Sequence, residues 1–263
     1  MNSLKNKNIE RNFIKKGFCI QKVEDFSLLK KIEKNIYEYL KKKVKFKHKN
    51  AQDFFNNFHK KVDEKNINSL RLGLIENILS KKIFKNYYYE ICKKTLEIIV
   101  SNELVMQKGI NLSIQLPNDE TSLLTMHADT WSGDSPYEVV IWLPLVNCYK
   151  SKSMYILPAN KYQYFEDNFK KQSNKSSDNI FKKIRKHLKW IDIKFGEFLI
   201  FNQTLPHGNI VNKENETRFS MNCRFKSVFS PYGSKGIGDF FEPISLKPIT
   251  KVAMKYELPS LKK

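Results

Sequence analysis

The sequence places a histidine and an aspartate two residues apart, His127-Ala-Asp129. In a strand, that spacing turns the imidazole and the carboxylate into one space and Ala128 away from it. Alone, such a triplet reads as a structural hydrogen-bonded pair. A second histidine changes the reading. The apolar run Glu197-Phe-Leu-Ile-Phe201 leads through Asn-Gln-Thr-Leu-Pro into His207-Gly208, and the end of a strand suits a third ligand. Two imidazoles and one carboxylate occupy one face of an octahedral metal ion and leave positions open for reactants. Eleven residues after His207 stands Arg218-Phe-Ser220. An arginine takes a carboxylate through two parallel hydrogen bonds, and a serine on the same strand face adds a third.

These residues need strands to carry them. From Gly109 the apolar pattern has period two: Ile110, Leu112, Ile114 and Leu116 alternate with Asn111, Ser113 and Gln115, a strand with one apolar and one polar face. Further strands are expected at 123–131, 138–145, 153–157, 190–193, 197–201 and 218–229, and a short one at 17–23 after a polar N-terminal arm. In the last long strand Arg218, Ser220, Asn222 and Arg224 share one face, and Phe219, Met221, Cys223 and Phe225 the other. Before residue 105 the period is helical. Leu29, Ile32, Ile36 and Leu40 follow an Asp25 cap, Ile83, Tyr87, Ile91 and Ile98 repeat the pattern, and 53–80 also reads as helix. A Lys/Ser/Asn-rich stretch, 170–178, reads as a solvated loop. Short strands separated by Pro, Gly and Asn turns point to a barrel or jelly roll. The expected fold is mainly β with N-terminal helices, α+β by count. The expected layout is one domain, with a helical part at 1–105, a β core at 106–230 and a C-terminal extension at 231–263.

Composition narrows the class. The chain has 263 residues, 41% of them hydrophobic, enough for a real core and against disorder. No apolar run approaches the ~20 residues of a spanning helix, and the first twenty residues are polar and Lys-rich, without the apolar stretch expected of a signal peptide. Four separated cysteines, Cys19, Cys92, Cys148 and Cys223, form no CxxC pair, so a reducing cytoplasm is the expected location. The net charge of +20 invites a nucleic-acid reading, yet only five of the 47 basic residues are arginine. The forked guanidinium, not lysine, is the preferred reader of phosphate and guanine. The excess therefore reads as solvated lysine.

The combination of HxD, a distal histidine and Arg-x-Ser resembles the Fe(II)/2-oxoglutarate-dependent oxygenases, in particular the phytanoyl-CoA dioxygenase-like family. Gly17-Phe-Cys-Ile resembles that family's opening strand, Tyr155-Ile-Leu-Pro158 its strand-to-proline turn, and Gly196-Glu-Phe-Leu-Ile-Phe201 with His207-Gly208 its distal-ligand segment. The longer phrases Met126-His-Ala-Asp-Thr-Trp-Ser-Gly-Asp134 and Phe225-Lys-Ser-Val-Phe-Ser-Pro-Tyr-Gly233 are similar to a bacterial subgroup found in sporadically distributed surface-carbohydrate gene clusters. The resemblance covers roughly residues 12–230, and 45–105 is its least diagnostic part. It implies a cupin-like double-stranded β-helix (jelly roll), with His127, Asp129 and His207 on Fe(II). It also implies that Arg218 and Ser220 hold 2-oxoglutarate and that dioxygen is the second cosubstrate. Because Asp129 is present, hydroxylation is expected rather than halogenation.

Other residues carry less specific signals. Gln115 and Asn222 are candidates to contact 2-oxoglutarate. Trp131, Asp134, Tyr137 and Arg224 are candidates to contact substrate, each weighed against ordinary packing or a structural ion pair. The expected substrate is a small molecule, with anionic carriers among the candidates: a nucleotide sugar, a lipid-linked sugar or an acyl thioester. Peripheral membrane contact stays open. Two other classes compete. A cupin-like isomerase or dioxygenase without 2-oxoglutarate has no need of the Arg218 clamp. A basic nucleic-acid binder should interleave aromatic and basic residues on one exposed face.

Overall fold

Asp25 starts the best-formed helix as its sequence dictates: its carboxylate accepts hydrogen bonds from the N–H groups of Ser27 and Leu28. Leu29, Ile32, Ile36 and Leu40 are then fully buried on one face. In a computed structural model of the chain, which describes residues 2–171 and 177–257, the elements follow in order. They are α1 (Asn2–Lys16), β1 (Phe18–Lys22), α2 (Phe26–Lys43), α3 (Ala51–Asn56), α4 (Glu64–Leu74), α5 (Lys82–Glu90), α6 (Lys93–Ile99), β2 (Leu104–Gln107) and β3 (Asn111–Gln115). Then come β4 (Val139–Pro144), β5 (Met154–Ile156), α7 (Tyr162–Lys171), α8 (Ser177–Ile184), β6 (Lys189–Trp190), β7 (Glu197–Asn202), β8 (His207–Asn209), β9 (Arg218–Ser227), β10 (Phe241–Ser245) and α9 (Pro248–Ala253).

The strands form two antiparallel sheets. The larger has the order β1-β7-β4-β9-β2-β10, with β3 also paired to β9, and the smaller is β6-β5-β8. With helices backing the larger sheet, this is the expected double-stranded β-helix. Strand β9 is its spine. One edge pairs with β4, setting Trp142 opposite Asn222 and Val140 opposite Arg224. Its other edge is shared: β3 takes the first half, with Gln115 opposite Arg218 and Ser113 opposite Ser220, and β2 takes the second, with Met106 opposite Phe225. Opposed residues share a face, so the polar stripes of β3 and β9 look into the space between the sheets. The other face of β9 meets the helices. Phe219 packs on Phe55 and Phe58 at 4.9 and 5.1 Å between ring centroids.

Several sequence expectations are corrected. The N-terminal arm is a helix, anchored by few apolar contacts: Ile9 is buried and Phe13 packs against the core. The helix expected on Ile83 and Tyr87 is two helices, α5 and α6, and α5 is rotated from the expected phase. Phe84, Tyr88 and Tyr89 are buried while Ile83 is 54% exposed, because the larger aromatic rings take the core. Segment 123–131 is not a continuous strand. It makes one antiparallel bridge, His127 to His207, then a 3-10 turn over Asp129–Ser132 ended by Gly133 at φ 88. The loop expected at 170–178 is entered by α7 and left by α8, and the remainder lies outside the described residues. Past residue 230 the chain returns to the larger sheet, where β10 pairs with β2. Two lysines depart from the surface reading: Lys152 and Lys226 are fully buried and ion-paired with Glu216 and Glu138.

Candidate metal centre

His127, Asp129 and His207 arrive from different parts of the chain, and their ligand atoms all lie within 4.8 Å of one another. The bridge between the two histidines sets this geometry. His127 N–H donates to the His207 carbonyl at 2.9 Å, and His207 N–H donates to the His127 carbonyl at 2.8 Å. Asp129 N–H donates to the Gln203 carbonyl at 3.1 Å, which swings the carboxylate back over the imidazoles. Gly208 permits the close approach: a Cβ there would stand 2.7 Å from the Leu124 carbonyl. The HxD segment can lie this near β8 only over a glycine.

Each imidazole is fixed by a carbonyl. His127 Nδ1 lies 2.8 Å from the Thr125 oxygen and His207 Nδ1 2.8 Å from the Leu205 oxygen. A carbonyl only accepts, so Nδ1 carries a hydrogen in both rings and Nε2 is the nitrogen turned toward the other ligands. The two Nε2 atoms lie 3.6 and 3.9 Å from Asp129 Oδ1. Burial first, and the facing His127 second, push His207 down to about 4, so its imidazole is neutral at physiological pH. Two imidazole nitrogens and one carboxylate oxygen around one point form the donor set of a divalent transition metal.

Arg224 holds that carboxylate. Its guanidinium lies 3.1 Å from Asp129 Oδ2 and 3.6 Å from Asp134 Oδ2, and its Nε donates to Gln203 Oε1 at 3.0 Å. Asp134 is buried and also pairs with Lys235. Both residues therefore take part in internal ion pairs, and Arg224 also lines the cavity. Trp131 and Tyr137 are 47% and 58% exposed, and neither lines the cavity. Trp131 stacks on Phe165 of α7 at 5.5 Å and 18°.

The other end of the β9 face is different. Arg218 is 3% exposed, and its NH2 group donates to Ser113 Oγ at 3.1 Å. Its Nε has no hydrogen-bond partner, and neither have Ser220 Oγ and Gln115 Oε1 nearby in register. Among the described residues Arg218 makes no ion pair. Burial lowers the pKa of its guanidinium from the ordinary value, the sign of a cation stripped of water without a counter-ion. Gln115 spends its amide on the Ile210 carbonyl at 2.8 Å. Asn222 lines the cavity and accepts from Asn111 Nδ2 at 3.0 Å.

Arg218, Asn222, Arg224 and the three metal-ligand candidates line one cavity of about 750 Å³, within the roughly 300–1,000 Å³ of small-molecule sites. Helix α4 adds a wall that the sequence did not signal, through Glu64, Ile67, Asn68, Arg71 and the following Ile75. The supports Gln203 and Gln107, the latter accepting from the Arg224 guanidinium through Oε1 at 3.4 Å, were equally silent: nothing local marks a glutamine that holds an arginine.

No protein-family model matches the chain, and no curated protein does. Solved structures share its fold. A nickel complex of the non-heme monooxygenase ThoJ aligns with TM-score 0.55 at 12% identity, over 94% of this chain and 92% of that one. The non-heme alpha-ketoglutarate-dependent epimerase SnoN of nogalamycin biosynthesis aligns with TM-score 0.52 at 12% identity, over 90% and 88%. EctD from S. alaskensis, solved with 2-oxoglutarate and 5-hydroxyectoine, aligns with TM-score 0.56 at 12% identity, over 86% and 77%. At this identity the likeness is one of fold.

Proposed function

We propose that this chain is an Fe(II)- and 2-oxoglutarate-dependent oxygenase acting on a small molecule. The observation that carries the reading is a buried guanidinium without a counter-ion among the described residues, in the same cavity as two imidazoles and a carboxylate. His127, Asp129 and His207 would hold the iron. Arg218 would take the distal carboxylate of 2-oxoglutarate through its free Nε and the second hydrogen of Nη2, whose first goes to Ser113 Oγ, with Ser220 Oγ supplying the neighbouring hydrogen bond. Its buried charge is then compensated by ligand rather than by protein. With iron, 2-oxoglutarate and dioxygen bound, such a centre oxidises a substrate C–H bond while 2-oxoglutarate becomes succinate and CO₂.

The chain's own residues do the positioning. The Thr125 and Leu205 carbonyls keep each Nε2 aimed inward, and Arg224 orients Asp129. Trp142, Val140 and Phe201 keep one wall apolar, which excludes water from the reactants. ThoJ, SnoN and EctD support the class through the fold they share with this chain. The sequence resemblance supports a phytanoyl-CoA dioxygenase-like enzyme acting on a sugar, surface-polysaccharide intermediate or carrier-linked acyl group. Four buried free cysteines fit a reducing cytoplasm, and among the described residues no helix is long and apolar enough to cross a membrane. The test is succinate release with Fe(II), 2-oxoglutarate and oxygen, screened over nucleotide sugars, lipid-linked sugars and acyl-CoA thioesters. One class should raise succinate well above the substrate-free rate; succinate from none, with no background turnover, would contradict the reading.

A further inference from the structure

Arginine is scarce in this chain, yet three of the five, Arg71, Arg218 and Arg224, line a single cavity. On the oxygenase reading, on which this inference rests, two of them are accounted for. Arg224 is neutralised by Asp129 and Asp134, and Arg218 awaits the cosubstrate. Arg71 is not accounted for. Among the described residues it makes no ion pair, and its guanidinium donates to Asn68 Oδ1 at 2.8 Å. It is half-buried, so it is neither freely solvated nor compensated.

Its position is built by helical spacing. Glu64, Ile67, Asn68, Arg71 and Ile75 recur on one face, and that face lines the cavity. The wall stands beside β3, which pairs with β9 and, among the described residues, with no other strand. The cavity lining accordingly runs from the metal-ligand candidates, past β3, to α4. Glu64, two turns before Arg71, is exposed and does not reach it. A molecule that occupied the space left beside 2-oxoglutarate would meet one uncommitted, forked cation at the α4 end.

We infer that Arg71 is a substrate-binding residue and that the substrate carries a carboxylate or phosphate group, held at α4 while another part of the molecule is oxidised at the metal. A guanidinium pairs either group through two oxygens. Lysine on the outer surface cannot substitute, because it offers no fork.

The test uses the full chain loaded with Mn(II) and 2-oxoglutarate under argon, with inorganic phosphate and acetate as separate probes. Paramagnetic relaxation of the ³¹P or ¹³C nucleus by Mn(II) reports only anions bound inside the cavity, not those on surface lysines. At least one probe should be relaxed by the wild type. Arg71→Gln should weaken that effect by about ten-fold or more, Arg71→Lys should restore part of it, and Arg185→Gln, an exposed arginine outside the cavity, should change nothing. Relaxation of phosphate alone assigns a phosphorylated substrate, and of acetate alone a carboxylate. No relaxation of either probe, or relaxation equal in wild type and Arg71→Gln, overturns the inference. Binding of 2-oxoglutarate is followed on the same samples. If it binds and the Arg71 effect is absent, the oxygenase reading stands without the inference. An Arg71 effect without 2-oxoglutarate binding upholds the anion site and overturns the oxygenase reading, and loss of both overturns both.

Discussion

The two ends of one strand face solve the same electrostatic problem in opposite ways. Arg224 and Arg218 both point inward from β9, six residues apart. Arg224 is surrounded by protein partners, Asp129, Asp134 and Gln203. Arg218 is more deeply buried and lacks a carboxylate partner among the described residues, with Nε unbonded. A buried charge paired by protein is a structural element; a buried charge left unpaired costs several kcal/mol unless a ligand compensates it. On the proposed reading, the difference separates the part of the site that would hold the metal from the part that would take an anion.

Substitution at each end tests the contrast. The largest effect is expected for Arg218→Met. It should lower 2-oxoglutarate affinity on the order of 10²–10³-fold, the loss of a buried, bidentate charge pair. In the ligand-free protein it should leave the urea midpoint unchanged or raised, since it removes an uncompensated cation. Calorimetric titration and urea unfolding of one preparation check both halves. Arg224→Met should do the reverse to stability. It should destabilise the ligand-free protein by about 1–3 kcal/mol, less than a fully buried pair because the side chain is 17% exposed. Metal affinity, read by competition with a chelator, should fall about 10–100-fold through the loosened Asp129. Equal destabilisation by the two substitutions would erase the distinction. Ser220→Ala is the mildest: about 1 kcal/mol, or roughly five-fold, in 2-oxoglutarate affinity, with no loss of stability because the hydroxyl lacks a partner.

What the sequence revealed depended on how local the signal was. Alternation along β9 separated the buried Phe219, Met221, Cys223 and Phe225 from the polar stripe, because a strand's period survives any tertiary context. The Asp25 cap was legible for the same reason. The HxD segment was assigned to a strand, and only the bridging residue His127 behaves as one. Asp129 reaches the imidazoles through a turn that its triplet does not encode. Helix α1 was hidden by its polarity, and the phase of α5 by competition between isoleucines and larger aromatic rings. The Asp134–Lys235 pair joins residues far apart in sequence, so nothing local to the loop after the HxD motif signals that it is fastened there. Arg71 carried a clue in its residue type, but only the fold shows which cavity it lines.

The oxygenase reading depends on the two imidazoles, Asp129 and Arg218 forming one site for a metal ion and 2-oxoglutarate together. Calorimetric titration of 2-oxoglutarate into the anaerobic protein, with and without Fe(II), tests it directly. One equivalent should bind tightly with Fe(II) and weakly or not at all without it, and the tight phase should be lost in His207→Ala and in Arg218→Met. Binding that is indifferent to Fe(II), or that survives both substitutions, would contradict a shared site.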